Sequence, residues 1–314
     1  MEYRPGPVIL TVTLNAALDV TYRVDALRPH ATHRVRDVHA VAGGKGVNVA
    51  RVLAASGEDV MVTGLTGGVT GDRIRADLDD AGLPQAMVQI GGESRRTLAV
   101  HGTDDGDATL FNEPGPLVQD DEWASFRDSF ADLAAAAEVV VLSGSLAPGL
   151  PPDAYASLVG LAAEHGATTV VDASGAALRA AVEAGAAVVK PNAAELAEVT
   201  GLDDPFAAVA CLRDTGAGAV VASLGPDGVL ALAGDGYLSA RPPARVDGNP
   251  TGAGDACTAA LARGLARGDA WPTMLAEAVA LSAAAVTMPR AGEVDLDLAA
   301  RFQRAVTVEQ VVRR

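Results

Sequence analysis

The stretch AEVVVLSGSLAPGLPPDAYASLVGLAAEHGATTVVDASGAALRAAVEAGAAVVKPN, residues 137–192, alternates short apolar runs with alanine-rich segments. Strands are predicted in AEVVVLSGS, ATTVVDAS and AAVVKPN, with helices between them at 152–164 and 176–184. Short, continuously apolar strands that alternate with helices form a parallel sheet covered by helices on both faces. This stretch therefore predicts an α/β fold.

The same alternation extends over the rest of the chain. Further strands are predicted in VILTVTLN, DVMVTGL and AVVASLG, and a further helix at 46–55. Ligands of such sheets bind beyond the carboxyl ends of the strands. The polar residues that follow the predicted strands are Asn15, Ser143, Asp172, Lys190, Asn192 and Ser223.

Two stretches, near 19–41 and 94–112, break this pattern. Both alternate polar and apolar residues around centres rich in turn-forming residues, which predicts hairpins of a small, half-exposed sheet over the main one. No linker or low-complexity tract separates them from the rest. We therefore expect a single domain over residues 1–314 with a β-sheet lid.

The composition restricts the class of protein. A net charge of −16, with 49% hydrophobic and 20% charged residues, is typical of a folded globular chain and argues against binding to nucleic acid or anionic membranes. The two cysteines, Cys211 and Cys257, form neither a zinc pattern nor a disulfide framework. Neither a signal-peptide pattern nor an 18-residue apolar run is found, so a cytoplasmic enzyme is expected.

Several common catalytic motifs are missing from the sequence. None of the five histidines lies beside a convincing nucleophile, and neither G-x-S-x-G nor H-E-x-x-H occurs. The glycine pairs at 44–46 and 252–254 lack the third glycine of a dinucleotide-binding fingerprint. Lys45 is followed by glycine, which excludes a Walker A loop.

The segment GNPTGAGDACTAAL, residues 248–261, places Gly252, Ala253 and Gly254 before Asp255 and an alanine-rich helical run. The free N–H groups at a helix start attract anions. Asp255 then has two interpretations. It stabilises the first helical turn as an acid, or it accepts a proton beside a phosphoryl group that is being transferred.

Three more glycine-flanked clusters are ambiguous when taken singly. AGGKGVNVARVL (42–53) fits a hinge or a loop that approaches a ligand, and SLGPDG (223–228) fits a plain hairpin turn. KPNAAEL (190–196) places Asn192 and Glu195 three residues apart, as in a helix capping box or on one face of a binding site.

Taken together and in order, the motifs N-x-x-L-D, G-G-K-G-x-N, S-G-S-L-x-P-G, K-P-N-x-x-E, S-L-G-x-x-G and N-P-x-G-A-G-D resemble ribokinase-like sugar kinases of the phosphofructokinase-B type. The resemblance covers nearly the whole chain, from about Leu10 to beyond Asp255. FNEPGP (111–116) and Lys45 are most similar to the 1-phosphofructokinase and tagatose-6-phosphate kinase branch. The resemblance implies a three-layer α/β/α core with a mainly parallel sheet and a β lid.

The activity implied by the resemblance is ATP-dependent phosphorylation of a phosphorylated ketohexose, first of all fructose 1-phosphate to fructose 1,6-bisphosphate. Tagatose-6-phosphate kinase and 6-phosphofructokinase are alternatives, followed by a kinase of a free sugar or nucleoside. A non-catalytic sugar-phosphate sensor is the alternative from another class. Asp255 would be the general base, and the amides of Gly252, Ala253 and Gly254 would bind the moving phosphoryl group.

The resemblance also assigns the binding residues. Asp19, Gly44 and Asn48 would contact sugar hydroxyls. The residues implied for the phosphate on the sugar are Arg95, Arg34 and Lys45, with Ser143 or Ser145 as an additional contact. The residues implied for ATP are Lys190, Asn192, Glu195, Ser223, Gly225 and Gly228, with Glu195 acting on Mg²⁺ through water. A homodimer through the lid is a further implication.

Three positions depart from the family pattern. Ala16 replaces a proline, and Thr97 stands where asparagine is expected two residues after the lid arginine, which leaves the substrate open. Asn249 and Pro250 replace the acidic entry found in potassium-activated members, which leaves a monovalent cation site open.

Overall fold

The computed structural model describes residues 8–104, 108–234 and 236–311. Its strands are β1 Ile9–Thr13, β2 Ala17–Val24, β3 Asp37–Gly43, β4 Val60–Gly67, β5 Gln85–Ile90, β6 Arg95–Gly102, β7 Ala108–Asn112, β8 Val139–Ser143, β9 Thr168–Asp172, β10 Val188–Val189, β11 Ala219–Ser223, β12 Val229–Ala233, β13 Gly236–Arg241 and β14 Thr307–Val311. Its helices are α1 Lys45–Ala55, α2 Gly68–Asp80, α3 Asp120–Ala134, α4 Ala154–Glu164, α5 Gly175–Glu183, α6 Ala193–Thr200, α7 Pro205–Thr215, α8 Ala253–Arg267, α9 Trp271–Val286 and α10 Leu296–Gln303.

Ten of the strands in the described ranges form a large sheet in the order β14-β13-β12-β11-β10-β9-β8-β1-β4-β5. From β11 to β5 every neighbouring pair is parallel, whereas β12, β13 and β14 extend one edge by antiparallel pairing. The parallel part places the carboxyl ends of its strands along one edge, because the helical crossovers return the chain each time to the same starting edge.

Helices cover both faces of this sheet. In β8, Val139 and Val141 belong to the hydrophobic cluster that includes α1, α2, α8 and α9, while Val140 and Leu142 belong to the cluster that includes α3 to α7. Successive side chains of a strand point to opposite faces, so a strand apolar at every position is buried on both. The expected three-layer α/β/α fold with a mainly parallel sheet is confirmed.

A second sheet, which we call the lid, has the strand order β3-β2-β6-β7. The pairs β2–β3 and β6–β7 are antiparallel, as expected for hairpins, and β2 pairs with β6 in parallel. Because that parallel pair joins residues 78 positions apart, only the folded chain brings them together. Residues 105–107 of the predicted lid segment lie outside the described residues.

Within the described residues, none of the helices combines the length and apolar character needed to cross a membrane.

Candidate active site

A cleft of about 1000 Å³ lies between the lid and the carboxyl ends of the parallel strands. Most of the residues predicted to bind substrate or nucleotide line it. These are Asp19, Gly44, Lys45, Asn48, Arg95, Lys190, Asn192, Glu195, Ser223, Gly225, Gly228, Gly252, Ala253, Gly254 and Asp255. The large sheet contributes its strand ends and the helices that follow them, and the lid contributes Asp19 and Arg95 from β2 and β6.

The start of α8 forms a backbone cradle at the floor of the cleft. Its N-cap, Gly252, has a φ of 90°, and a Cβ at this position would lie 2.8 Å from the Cα of Ala291. Glycine is therefore required here, both for the left-handed backbone and for the space. Glycine has no side chain with which to cap the helix. The N–H of Ala253 donates to the backbone oxygen of Pro250 over 3.2 Å, whereas those of Gly254 and Asp255 have no partner among the described residues and remain available for an anion.

Asp255 lies in the first turn of α8 and is buried. Asn48, in the first turns of α1, donates a hydrogen bond from Nδ2 to Asp255 Oδ2 over 2.8 Å. Burial, and after it the charge of Asp172, together raise the pKa of Asp255 to about 7 against the lowering effects of Asn48, Lys45 and Lys190. A carboxyl group with a pKa near neutrality is well matched to general base catalysis.

A buried ionic cluster lies beside this carboxylate, centred on Asp172 at the end of β9. Lys45 donates from Nζ to Asp172 Oδ1 over 3.0 Å, and the Nζ of Lys190 lies 3.4 Å from Oδ2. Thr258, one turn beyond Asp255 on α8, is 3.2 Å from the same Oδ2. The cluster therefore links α1, β9, the end of β10 and α8 at the wall of the cleft, which Lys45, Asp172 and Lys190 line.

The start of α6 combines both interpretations of its Asn–Glu spacing. Asn192 Oδ1 accepts from the backbone N–H of Glu195, and Glu195 Oε2 accepts from the N–H of Asn192, which together form a capping box. The other oxygen, Oε1, is 3.9 Å from Lys45 Nζ, and both residues line the cleft. Capping thus holds Glu195 in place where it also faces the cleft.

Whether Mg²⁺ fits the cleft depends on the carboxylate groups that line it. Among the described residues, no group of three or more His, Cys, Asp or Glu is placed to hold a metal ion. Mg²⁺ commonly keeps several waters and is held by one or two carboxylates and the phosphates of a substrate. Glu195 therefore suits a magnesium ion that arrives with nucleotide phosphates and is contacted through water.

The lid presents a row of polar side chains to the cleft. Asp19, Thr97 and Asn112 are register partners across β2, β6 and β7, and all three line the cleft. A Cβ on Gly43 would lie 2.0 Å from the Asp19 carboxylate, so only glycine permits this approach. Burial raises the pKa of Asp19 to about 6, although a hydrogen bond with Thr97 and the charge of Arg95 lower it.

Arg95 is the lid cation in the cleft. It lies on the same face of β6 as Thr97, two residues away, and is half-buried. Its Nε donates to the backbone oxygen of Asn15 over 3.0 Å, and its Nη1 donates to that of Glu113 over 3.3 Å. Both acceptors are uncharged carbonyls, so the positive charge remains available to an anionic ligand.

The comparisons with known proteins agree with this geometry. A model of the pfkB family carbohydrate kinases matches residues 11–297. The chain belongs to the pfkB family of carbohydrate kinases. The predicted resemblance is thus confirmed at the level of the family.

Solved structures resemble this pfkB kinase over nearly its full length. Phosphofructokinase-2 from Escherichia coli, in complex with potassium, superimposes with a TM-score of 0.90 at 30% identity, over 95% of this chain and 98% of that one. A possible 1-phosphofructokinase from Thermotoga maritima gives 0.87 at 25% identity, over 97% and 100%. Ribokinase from Arabidopsis thaliana, at 19% identity and a TM-score of 0.74 over 95% and 99%, shares the fold.

Three residues predicted to contact the sugar phosphate do not line the cleft of this pfkB kinase chain. Arg34 is exposed in the loop between β2 and β3. Ser143 is fully buried, and its hydroxyl has no hydrogen-bond partner among the described residues. Ser145 is exposed, and its Oγ accepts from Asn15 Nδ2 over 3.3 Å. None of the three directly supports the predicted phosphate site.

Lys45 also lies differently from its predicted role with the sugar phosphate. Its ammonium group is paired with Asp172 and approaches Glu195, which places it among the residues predicted for the nucleotide. Sequence spacing could not reveal this, because Lys45 and Asp172 are 127 residues apart in the chain and only the folded sheet brings them together.

Sequence reasoning left Asp172, Thr97 and Asn112 out of the predicted site of this pfkB kinase. Asp172 carried a signal, since it follows a predicted strand at the ligand-binding edge of the sheet. Thr97 was noted as a departure from the family pattern, and Asn112 lies inside FNEPGP. The pairing of β2, β6 and β7 is what groups the two lid residues with Asp19.

Proposed function

We propose that this pfkB kinase transfers a phosphoryl group from ATP to a phosphorylated ketohexose, with fructose 1-phosphate converted to fructose 1,6-bisphosphate as the first candidate. The observation that carries the proposal is the position of Asp255. This carboxylate, whose pKa is raised to about 7, lies beside the uncapped start of α8 in the same cleft as Arg95. A base, an anion cradle and a cation for the phosphate of the sugar are the groups that such a transfer uses.

The chemistry follows from these positions. A sugar hydroxyl oxygen attacks the γ-phosphorus of ATP, its proton passes to Asp255, and the bond to the β-phosphate oxygen breaks to release ADP. The amides at the start of α8 stabilise the charge on the moving phosphoryl oxygens. Mg²⁺, when bound with the nucleotide, would neutralise part of the phosphate charge. Asn48 holds one oxygen of the base and leaves the other for the hydroxyl.

The other end of the cleft suits a nucleotide. Ser223, Gly225 and Gly228 lie on the turn between β11 and β12, an antiparallel hairpin that contains the 3-10 turn Gly225–Asp227. Apolar side chains of α9 and of the loop before α8 line the cleft as well. They are Val246, Val279, Ala283 and Val286. An apolar wall of this kind is a suitable surface for a flat purine base.

A phosphosugar is favoured over a free sugar by the charge of Arg95. A guanidinium group can hold phosphate oxygens through two parallel hydrogen bonds. Fructose 6-phosphate is the second candidate, because a structure of the Escherichia coli phosphofructokinase-2 is described as a complex with that sugar. The similarity at 25–30% identity does not choose between these ketohexose phosphates.

ADP release measured over a panel of acceptors tests the proposal. The panel contains fructose 1-phosphate, fructose 6-phosphate, tagatose 6-phosphate, free fructose and ribose, each with ATP and Mg²⁺. We expect the largest kcat/KM with a ketohexose phosphate, and fructose 1-phosphate first. A preference for a free sugar would replace this function with a free-sugar kinase, and sugar-phosphate binding without turnover would indicate a sensor.

We also propose that two chains associate through the lid. Val38 on β3 and Phe111 on β7 lie on the face of the lid opposite to Asp19, and they are 55% and 53% exposed. Exposed apolar side chains on one face of a sheet are typical of a protein interface. Sedimentation velocity is expected to detect a dimer that Phe111→Glu dissociates. Assembly that is unchanged in the variant would place the interface elsewhere.

A further inference from the structure

Asp172 is a buried carboxylate in the cleft to which the proposed mechanism assigns no step. Its side chain is 1% exposed, and its partners come from different elements of the fold. Resting on the proposed kinase function, we infer that Asp172 is a positioning residue, which fixes the ammonium groups of Lys45 and Lys190 beside the α8 cradle. It acts through these lysines and not by touching the substrate.

Each carboxylate oxygen of Asp172 holds a different lysine, and the two lysines lie on different sides of the site. Oδ1 holds Lys45, whose ammonium group also lies 3.9 Å from Glu195 at the start of α6. Oδ2 holds Lys190, whose Nζ is 3.6 Å from the place that a Cβ on Gly254 would occupy. One carboxylate thus directs one cation toward the capping box of α6 and the other against the backbone of the cradle.

Lysine requires such a partner in order to be placed accurately. Its ammonium group is a point charge on a flexible four-carbon stem, unlike the rigid fork of arginine. Thr258, on α8, is 3.2 Å from Asp172 Oδ2, and its hydroxyl is also 3.0 Å from the backbone oxygen of Gly254. The carboxylate is therefore tied to the same helix turn that forms the cradle.

The cluster keeps two ammonium groups charged at the place where a phosphate would enter. Asp172 balances one of these charges, and Glu195 and Asp255 lie near the other. Burial alone would raise the pKa of Asp172, but Lys190 and Lys45 bring it below its usual value. Burial alone would lower the pKa of Lys190, and Asp172 reverses this, so the lysine keeps its charge.

Asp172 also acts on the base through its charge. The groups that face Asp255 are Asp172 from β9, Asn48 and Lys45 from α1, and Lys190 from the end of β10. Asp172 raises the pKa of Asp255, whereas the other three lower it. Removing the Asp172 charge should therefore lower the pKa of the base, and the acidic limb of the kcat profile should move to lower pH.

The test is the isosteric variant Asp172→Asn, which keeps the shape of the side chain and removes its charge. We expect kcat to fall on the order of 10- to 100-fold, since a misplaced catalytic group costs about that much. KM for the sugar phosphate should stay within a few-fold, and the acidic limb of kcat should move to lower pH than in the wild type.

Glu277→Gln is the matched control. Glu277 is a buried carboxylate paired with Arg263 between α8 and α9, and it does not line the cleft. Neutralising it should leave the position of the acidic limb unchanged even if it lowers stability. A limb that moves equally in both variants, or an Asp172→Asn enzyme with normal kcat and an unmoved limb, would overturn the inference.

Two further measurements keep the inference falsifiable. NMR titration of the lysine resonances does not depend on turnover. In Asp172→Asn the pKa of Lys190 should drop. An unchanged titration of Lys190 would overturn the inference without bearing on the proposed function. If Asp172→Asn does not fold, Lys45→Met removes one positioned cation from a half-exposed side chain. Its kcat should fall about 10-fold or more, and full activity would count against the role of the cluster.

Discussion

Replacement of Asp255 by asparagine is expected to lower kcat by about 10²- to 10⁴-fold, the usual contribution of a general base. The change corresponds to roughly 3–5 kcal/mol in the activation free energy, at about 1.36 kcal/mol for each factor of ten. Asparagine has the same shape, and its carbonyl oxygen can still accept the hydrogen bond from Asn48. The group that is lost is the proton acceptor.

Substrate binding should respond much less than turnover to Asp255→Asn. The proton is transferred only in the transition state, so the interaction that is removed does not hold the ground state. Calorimetry with the sugar phosphate and with a non-hydrolysable ATP analogue should give dissociation constants within a few-fold of the wild type. Steady-state kinetics measured alongside should give the fall in kcat.

Asp247→Asn provides the matched control for this result. Asp247 is a second carboxylate at the cleft, but its side chain is 98% exposed and makes only a weak pair with Arg245 at 3.9 Å. Its neutralisation should leave kcat nearly unchanged. Near-normal turnover in Asp255→Asn would remove Asp255 from the mechanism, and an equal loss in both variants would point to the net charge of the cleft instead.

The second large effect is expected from truncation of Arg95. Arg95→Ala should raise the activation free energy that governs kcat/KM for the phosphosugar by about 2–5 kcal/mol. This is the range found when one partner of a desolvated charge pair is removed. This is roughly a 30- to 5000-fold loss. Activity on free fructose should hardly change, because that substrate has no phosphate that could lose its partner.

Two further variants, one at Arg96 and one at Arg95, distinguish the effect of losing the charge from the effect of disturbing the lid. Arg96→Ala removes an adjacent arginine that does not line the cleft and is paired with Glu113 at 2.8 Å. It should lower the activity on all sugars by the same small factor. Arg95→Lys keeps the charge without the planar fork and should recover only part of the loss.

The decisive quantity is the ratio of kcat/KM for the phosphosugar to kcat/KM for free fructose in Arg95→Ala. A loss confined to the phosphosugars would assign the phosphate to Arg95. An equal loss with the phosphosugars and with free fructose would limit Arg95 to holding the lid, through its hydrogen bonds with the carbonyls of Asn15 and Glu113.

Strands β1, β4 and β8 to β11, helices such as α1 and α4, and the family could be predicted from the sequence because their signals are local. Strand β8, predicted from AEVVVLSGS, is Val139–Ser143, and the helix expected at 152–164 is Ala154–Glu164. Each signal is contained within a few neighbouring positions: an apolar run, an alanine-rich segment, or glycines before a polar residue. The same locality placed Asp255 after its glycines and Glu195 three residues after Asn192.

The ionic environment of the site was decided by the tertiary structure alone. Asn48 and Asp255 are 207 residues apart, and Lys45 and Asp172 are 127 apart, so no spacing in the sequence indicates that they touch. The pKa of Asp255 near 7 arises from burial and from the charges that the sheet places around it. A pKa depends on surroundings in space, and a motif carries only neighbours along the chain.

The sequence by itself thus determined the layers, the order of the motifs and the position of Asp255, the carboxylate proposed as the base. The tertiary structure decided which charges meet: it paired Lys45 with Asp172, brought Asp19 beside Thr97, and left Arg34 outside the cleft. The physical reason is one of range. Backbone conformation follows from short-range sterics and hydrophobic periodicity, whereas contacts between side chains from distant segments exist only once the parallel crossovers have brought the strand ends to one edge.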